Sequence, residues 1–421
     1  MAQVPKLPFA VRALNRAGAV ASALGVAIGR LDPDALLAAA TKATGFRDFG
    51  DDEIGGPVLR DPLARLIASL EEEARLSTLG RFVTKGELQR YLESRLAVVD
   101  WHRRHPEIAR GEIRRPIIIV GQGRTGTTIL HELLALDPNN RVPMTWEADA
   151  PCPPPERATY GTDPRIRASQ KTIDSSERLI PDFKRMHRMG AQLPQECVRI
   201  TGAAFASMIF TAQWRVPTYT RWLLEEASMT TVYRWHRRVL QLLQWRCPAE
   251  RWVLKTPAHL WCLDDVLAEY PDARFIQTHR DPLKVLSSLS SLELVLRTMT
   301  GDAGTQHEIA KEWSHWTEMA YERSVRFREE RRIEPNRIAD VQFRGFIKDP
   351  VAAIRRIYEQ FELEWRPELE QRMRAYVAGN PDDRDGAHKH RFVDTGLDAG
   401  EERAKVKRYQ EYFDVESEAN L

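Results

Sequence analysis

Arg115-Pro-Ile-Ile-Ile-Val-Gly-Gln-Gly-Arg-Thr-Gly-Thr-Thr-Ile-Leu-His-Glu-Leu-Leu134 reads as a strand, a tight glycine-rich turn and a helix. Ile117, Ile118, Ile119 and Val120 form a continuous β-branched run, the composition of a strand buried on both faces. Gly121, Gly123 and Gly126 let the backbone reverse with its N–H groups exposed to an anion. The helix beginning near Thr127 adds unsatisfied N–H groups and the positive end of its dipole. Thr127 and Thr128 add hydroxyl donors, and Arg124 adds a full positive charge. The stretch is therefore expected to cradle a phosphate with Gly123, Arg124, Thr125, Gly126, Thr127 and Thr128.

The spacing from Gly121 to Gly126 and on to Thr127-Thr128 approaches the nucleoside-triphosphate loop G-x-x-x-x-G-K-[ST], but threonine stands at 127 in place of lysine. Triphosphate hydrolysis uses that lysine on the β- and γ-phosphates and a hydroxyl on magnesium, whereas here the basic residue lies inside the loop. A second stretch, Ala273-Arg-Phe-Ile-Gln-Thr-His-Arg-Asp-Pro-Leu-Lys-Val-Leu-Ser-Ser-Leu289, reads as a strand over Arg274 to Thr278, then an Asp281 N-cap with Pro282 in the first helical turn. Arg280 is thereby held just before a helix N-terminus. Its planar fork can grip a phosphate in bidentate fashion, with Ser288 completing the contact. The structural alternative is that Arg280 pairs with a carboxylate and Ser288 merely packs.

Gly-x-x-Arg-Thr-Gly-Thr-Thr after a hydrophobic strand resembles the 5′-phosphosulfate loop of bacterial-type sulfotransferases that use 3′-phosphoadenosine-5′-phosphosulfate (PAPS). Arg280 with Ser288 eight residues on resembles the same family's 3′-phosphate signature. The resemblance runs over roughly residues 115 to 415 and takes in Asp340 to Pro350 and the helix after it. It implies an α/β class with a P-loop-like core, a parallel central sheet flanked by helices. Residues 113–421 would form that domain, and residues 1–112 a helical N-terminal extension packed on it. It also implies PAPS as co-substrate, adenosine 3′,5′-bisphosphate as product, no metal, and in-line transfer of the sulfuryl group to a hydroxyl or amine. There are departures. Gly123 replaces the proline common in the loop, and Ile129 stands where small-molecule members stack a tryptophan on adenine. The Arg-Lys-Gly triplet of those members is missing, so Lys389 and Arg391 in the basic stretch Gly386 to Phe392 are assigned to the nucleotide by region only.

The base is open between two residues. Val142-Pro-Met-Thr-Trp-Glu-Ala-Asp-Ala-Pro-Cys-Pro-Pro-Pro-Glu156 reads as an extended, proline-stiffened loop. Loops at the carboxyl ends of parallel strands line ligand sites, and resemblance to bacterial and carbohydrate-directed members makes its Glu147 the first choice. The other is His259 in Trp252-Val-Leu-Lys-Thr-Pro-Ala-His-Leu260, four residues after Lys255 where small-molecule members space the pair by two. Lys255 at a strand end can follow charge onto the bridging oxygen, and Arg124 meets charge on the sulfuryl oxygens. The bland readings are a capping carboxylate for Glu147, a salt-bridged lysine for Lys255 and a core histidine for His259.

The rest of the chain fits an enzyme of this kind. Its 421 residues, 43% hydrophobic, can hold one large α/β domain with a helical extension. Sixty-two basic against 60 acidic residues leave a net charge of +2, which gives no field to recruit nucleic acid. Cys152, Cys197, Cys247 and Cys262 have no metal-like spacing and fit buried thiols in a reducing cytoplasm. Further strands are expected at Trp252–Leu254 and Ile338–Phe343, and an amphipathic helix from Leu88 to His105. The span from Phe9 to Arg30 carries Arg12, Arg16 and Arg30 and no acid before Asp32. It reads as a helix packed on the main domain, with an interfacial helix serving a lipid-embedded substrate as the alternative. Eleven tryptophans and the Phe205 to Phe210 run suggest a hydrophobic acceptor pocket, so a small hydrophobic or lipid-like acceptor ranks ahead of a polysaccharide. The rival functions are a nucleotide kinase or NTPase with an altered loop, and a non-catalytic nucleotide-binding scaffold.

Overall fold

The apolar run at Ile117–Val120 becomes the middle strand of a sheet covered on both sides. A computed structural model of the chain describes residues 7–25, 28–179, 188–380 and 390–419. Five parallel strands, β1 (Ile117–Val120), β2 (Asn140–Arg141), β3 (Arg251–Lys255), β4 (Arg274–His279) and β5 (Ile338–Gln342), lie in the order β2-β3-β1-β4-β5. Side chains alternate across a strand, so neighbours in β1 serve different cores. Ile118 and Val120 join the larger cluster with Leu254 and Phe275, while Ile117 and Ile119 join Val253, Ile276, Leu130, Leu133 and Ile354 on the other face. All four β1 residues are fully buried, which is why the run is continuous rather than alternating.

Four helices precede the sheet: α1 (Phe9–Ala23), α2 (Pro33–Thr44), α3 (Arg60–Glu72) and α4 (Thr78–Arg104). Leu36 of α2, Leu66 of α3, and Leu88, Leu92, Leu96 and Val98 of α4 lie in the same buried cluster as Ile118 and Val120, so these three helices share the core of the sheet. The sequence places the start of α4 ten residues late. Ser77 caps it by accepting from the Gly80 N–H at 3.1 Å. Among the described residues no helix is long and apolar enough to cross a membrane.

Two further expectations change. β2 escapes a pattern search because it is only Asn140 and Arg141, polar residues that are nonetheless buried. Asn140 Nδ2 donates to the Leu134 carbonyl at 2.8 Å, and the Arg141 guanidinium lies 4.7 Å from the centre of the Trp252 ring. The proline-rich segment expected to be wholly extended contains a helical turn, α6 (Thr145–Asp149), pinned by the Thr145 N–H to the Leu193 carbonyl at 3.0 Å. At the end of β5, Phe343 starts a helix instead of extending the strand.

His131 and His236 sit 1% and 0% exposed, and burial pushes each to about 3 from an ordinary 6.5. A depressed histidine adds stability that is complete above the unfolded value and is lost as pH falls below it. Each should therefore cost roughly 2 kcal/mol at pH 5. Urea unfolding at pH 7.5 and pH 5 should show a marked fall in midpoint; equal midpoints would contradict the burial of neutral imidazoles.

Candidate active site

The carboxyl ends of β1, β3 and β4 lie side by side, with Ile119 in register with Lys255 and Val120 with Gln277. Three loops therefore leave the sheet at one place, where an open α/β sheet binds its ligand. The first runs from Gly121 to α5 (Thr127–Leu134). Gly121 has φ +128, and a Cβ there would lie 2.3 Å from Thr278 Oγ1, so only glycine fits against the end of β4. Gly126, at φ +89, caps α5.

Arg124 takes a left-handed conformation, φ +72, without being glycine. Two contacts hold it. Its Nε donates to Ser288 Oγ at 2.9 Å, and its carbonyl accepts from Arg280 Nη1 at 2.9 Å. Residues more than 150 apart in sequence are thus locked into one cationic cradle. Burial, reinforced by the charge of Arg280, lowers the Arg124 pKa, which marks a place that favours an anion. Gln122 Nε2 is buried there without a hydrogen-bond partner. Thr125 differs from its expected role. Its hydroxyl donates to the Gln122 carbonyl and meets Thr278 Oγ1, both at 2.6 Å, and so braces the loop. Thr127 and Thr128 begin α5, with Thr127 buried and Thr128 partly so.

From β3, Lys255 is 2% exposed and its Nζ lies 2.5 Å from Glu196 Oε1. Pro257 follows, and a Cβ on Gly123 would sit 3.8 Å from its Cγ, so this loop touches the cradle. His259 is buried, with Nδ1 2.8 Å from the Tyr233 hydroxyl. Burial keeps its pKa well below 6.5. Glu147 sits apart from this arrangement. It is 0% exposed; one oxygen is paired with Arg141, and the other accepts from the Met144 N–H at 3.1 Å and the Tyr160 hydroxyl at 2.8 Å. Both oxygens are thus engaged, by Arg141 on one side and by the turn of α6 and Tyr160 on the other. Glu196 has no motif around it; only the fold brings it to Lys255.

A family model, that of the sulfotransferase family, matches residues 116–367, from β1 through β5. The chain belongs to the sulfotransferase family. It is 27% identical over 279 residues to the omega-hydroxy-beta-dihydromenaquinone-9 sulfotransferase Stf3 of Mycobacterium bovis and of Mycobacterium tuberculosis, an alignment spanning 63% of this chain and 68% of the relative. The crystal structure of sulfotransferase STF1 from M. tuberculosis matches with a TM-score of 0.77 at 30% identity, over 92% of this chain and 99% of that one. STF9 from Mycobacterium avium matches with 0.81 at 29% identity, over 91% and 97%.

In this sulfotransferase the fork of Arg280 holds a carboxylate of its own chain. Arg280 Nε and Nη2 donate to Glu418 at 2.8 and 3.3 Å, and its guanidinium stacks 3.9 Å from the centre of the Phe343 ring. The C-terminal segment is brought there by the helix Lys407–Phe413, whose Tyr409 hydroxyl meets His279 Nδ1 at 2.8 Å. The Glu418 N–H then donates to Asp281 at 2.6 Å. A phosphate reaching this fork displaces Glu418. Glu418→Gln should therefore tighten adenosine 3′,5′-bisphosphate by about fivefold, near 1 kcal/mol for a partly exposed ion pair. Calorimetry reads this directly, and unchanged affinity would show that the phosphate does not use the Glu418 side of the fork.

Of the residues assigned by region, Lys389 lies outside the described residues. Arg391 is 67% exposed on its side chain and pairs with Asp394 at 3.1 Å. Its neighbour His390 reaches the Pro282–Thr298 helix that carries Ser288, with Nδ1 2.9 Å from Ser287 Oγ. Beside Thr256 and His259 opens a cavity whose wall combines Met208, Leu223, Leu224 and Trp261 with the charged Asp265 and Arg323. Phe205, Phe210 and Trp214, by contrast, are core residues at 0–1% exposure. Among the described residues no three histidine, cysteine or acidic side chains are grouped to hold a metal.

Proposed function

We propose that this sulfotransferase moves the sulfuryl group of PAPS to a hydroxyl, or less readily an amine, of a hydrophobic, lipid-like acceptor. The observation that carries the reading is the closure of Arg124, Ser288 and Arg280 into one cradle at the carboxyl edge of the sheet. Two guanidinium groups, a left-handed loop, a helix N-terminus and the unpartnered Gln122 amide suit an anionic donor. PAPS supplies an activated sulfuryl group on a phosphate leaving group. Arg124 and the backbone of residues 123–128 hold the phosphosulfate, and Arg280 with Ser288 holds the 3′-phosphate. Lys255 meets charge on the bridging oxygen. His259 takes the acceptor proton at Nε2 as the new oxygen–sulfur bond forms and the bond from sulfur to the bridging oxygen breaks.

The cavity beside His259, part of whose wall is formed by Met208, Leu223, Leu224, Met229 and Trp261, and a relative named for a hydroxylated menaquinone, support a lipid-like alcohol. The outer face of α1 fits such a substrate's surroundings. Gly18 packs so tightly on α4 that a Cβ would meet Thr78 Oγ1 at 1.7 Å. Phe9, Val20 and Leu24 point away, 78%, 62% and 78% exposed, beside the exposed Arg12 and Arg16. The protein should float with phosphatidylglycerol vesicles, and Phe9→Ser with Leu24→Ser should weaken this several-fold. Flotation unchanged by the double variant would remove α1 from membrane contact.

Calorimetric titration with adenosine 3′,5′-bisphosphate and with magnesium ATP tests the donor. Metal-independent binding of the bisphosphate supports PAPS, whereas preference for magnesium ATP would favour a kinase.

A further inference from the structure

One wall of the cavity carries a buried relay behind His259 whose other members, Tyr233 and Cys262, the transfer chemistry leaves without a role. The Tyr233 hydroxyl lies 2.8 Å from His259 Nδ1 and 3.1 Å from Cys262 Sγ, and the Cys262 thiol donates to the Ala258 carbonyl at 3.3 Å. Tyr233, His259 and Cys262 all line the cavity. His259 Nε2 is buried with no hydrogen-bond partner.

The number of protons in the relay is fixed by burial. The Cys262 thiol is pushed up to about 12, the Tyr233 phenol well above its usual value and the His259 imidazole well below. Each group therefore carries one proton at neutral pH. A carbonyl can only accept, so with the thiol proton on Ala258 the sulfur is left as acceptor for the Tyr233 O–H. Tyr233 then has only lone pairs to offer His259, and Nδ1 must carry the imidazole proton. The opposite direction would leave an Nε2–H donor buried with nothing to receive it, the costlier arrangement. His236, whose ring centroid is 6.5 Å from that of His259, is itself held at Nδ1 by the Tyr270 hydroxyl at 2.7 Å.

We propose that Tyr233 and Cys262 are positioning residues that lock His259 as the Nδ1–H tautomer, presenting the Nε2 lone pair to the acceptor hydroxyl. This rests on the sulfotransferase reading of His259 for its purpose, but not for its test. Protein labelled with ¹⁵N-histidine is examined by long-range ¹H–¹⁵N correlation, with the His259 signals identified by their loss in His259→Gln. The expected pattern is a protonated Nδ1 and an unprotonated Nε2 at pH 7.5. Tyr233→Phe should convert this to a mixed or Nε2–H pattern, and Cys262→Ser, which keeps a donor and an acceptor at that position, should preserve it. An Nε2–H tautomer in the unmodified protein, or a His259 spectrum unaltered by Tyr233→Phe, would overturn the proposal. Should Tyr233→Phe fail to fold, the tautomer of the unmodified protein still decides. A relay-dependent Nδ1–H tautomer in a protein whose His259→Gln variant keeps full turnover would remove the base and leave the lock standing.

Discussion

Arg280→Ala is expected to weaken adenosine 3′,5′-bisphosphate binding by roughly a hundredfold, about 3 kcal/mol, the size of a lost bidentate charge-assisted contact. Two effects act in the same direction. The fork that now grips Glu418 at 2.8 and 3.3 Å is the group we propose for the 3′-phosphate. The remaining nitrogen, Nη1, holds the Arg124 carbonyl, so the left-handed loop loses a support as well. Displacement of Glu418 by phosphate offsets part of the gain in the unmodified protein, which is why the expected loss is not larger. Arg391→Ala is the control, since that side chain is exposed and paired within its own turn. A change below threefold in Arg280→Ala would place the 3′-phosphate elsewhere and leave Arg280 as the carboxylate-paired residue of the structural alternative.

His259→Gln is expected to lower turnover by roughly 10²- to 10⁴-fold, the usual worth of a general base, while bisphosphate affinity stays the same. The separation follows from position: His259 lines the acceptor cavity, and the cationic cradle is built from the ends of β1 and β4. Glu147→Gln should act differently. It leaves buried Arg141 without its charge partner, a loss on the order of 3 kcal/mol in stability, and moves turnover through folding rather than through proton transfer. Thermal unfolding alongside single-turnover rates separates the two. A stable Glu147→Gln protein without activity, together with an active His259→Gln protein, would return the base to Glu147.

The parts legible in the sequence are those specified by short-range geometry. An Ile/Val run long enough for a doubly buried strand, glycine at a position where a Cβ would strike Thr278, and Asp-Pro opening the Pro282–Thr298 helix each express a local backbone requirement. They gave β1, β3, β4 and most of β5, and they gave Arg124, Arg280 and Ser288 as candidates. β2 was not legible, because two polar residues pair with β3 only after Arg141 finds Trp252 and Glu147.

The candidate base divides along the same line. Glu147 lies in a loop after β2, and although its partners Arg141, Met144 and Tyr160 all lie within 13 residues of it, no local pattern reveals that both of its oxygens are engaged. Glu196 at Lys255, and Tyr233 at His259 and Cys262, join groups 26 to 59 residues apart. Sequence by itself determined the α/β class and the strand, glycine turn and helix from Ile117 to Leu134, since these follow from backbone conformation over a few residues. Tertiary structure alone decided that Tyr233 meets His259, that Glu196 meets Lys255 and that Glu418 occupies the Arg280 fork, because these side chains meet only when distant segments pack.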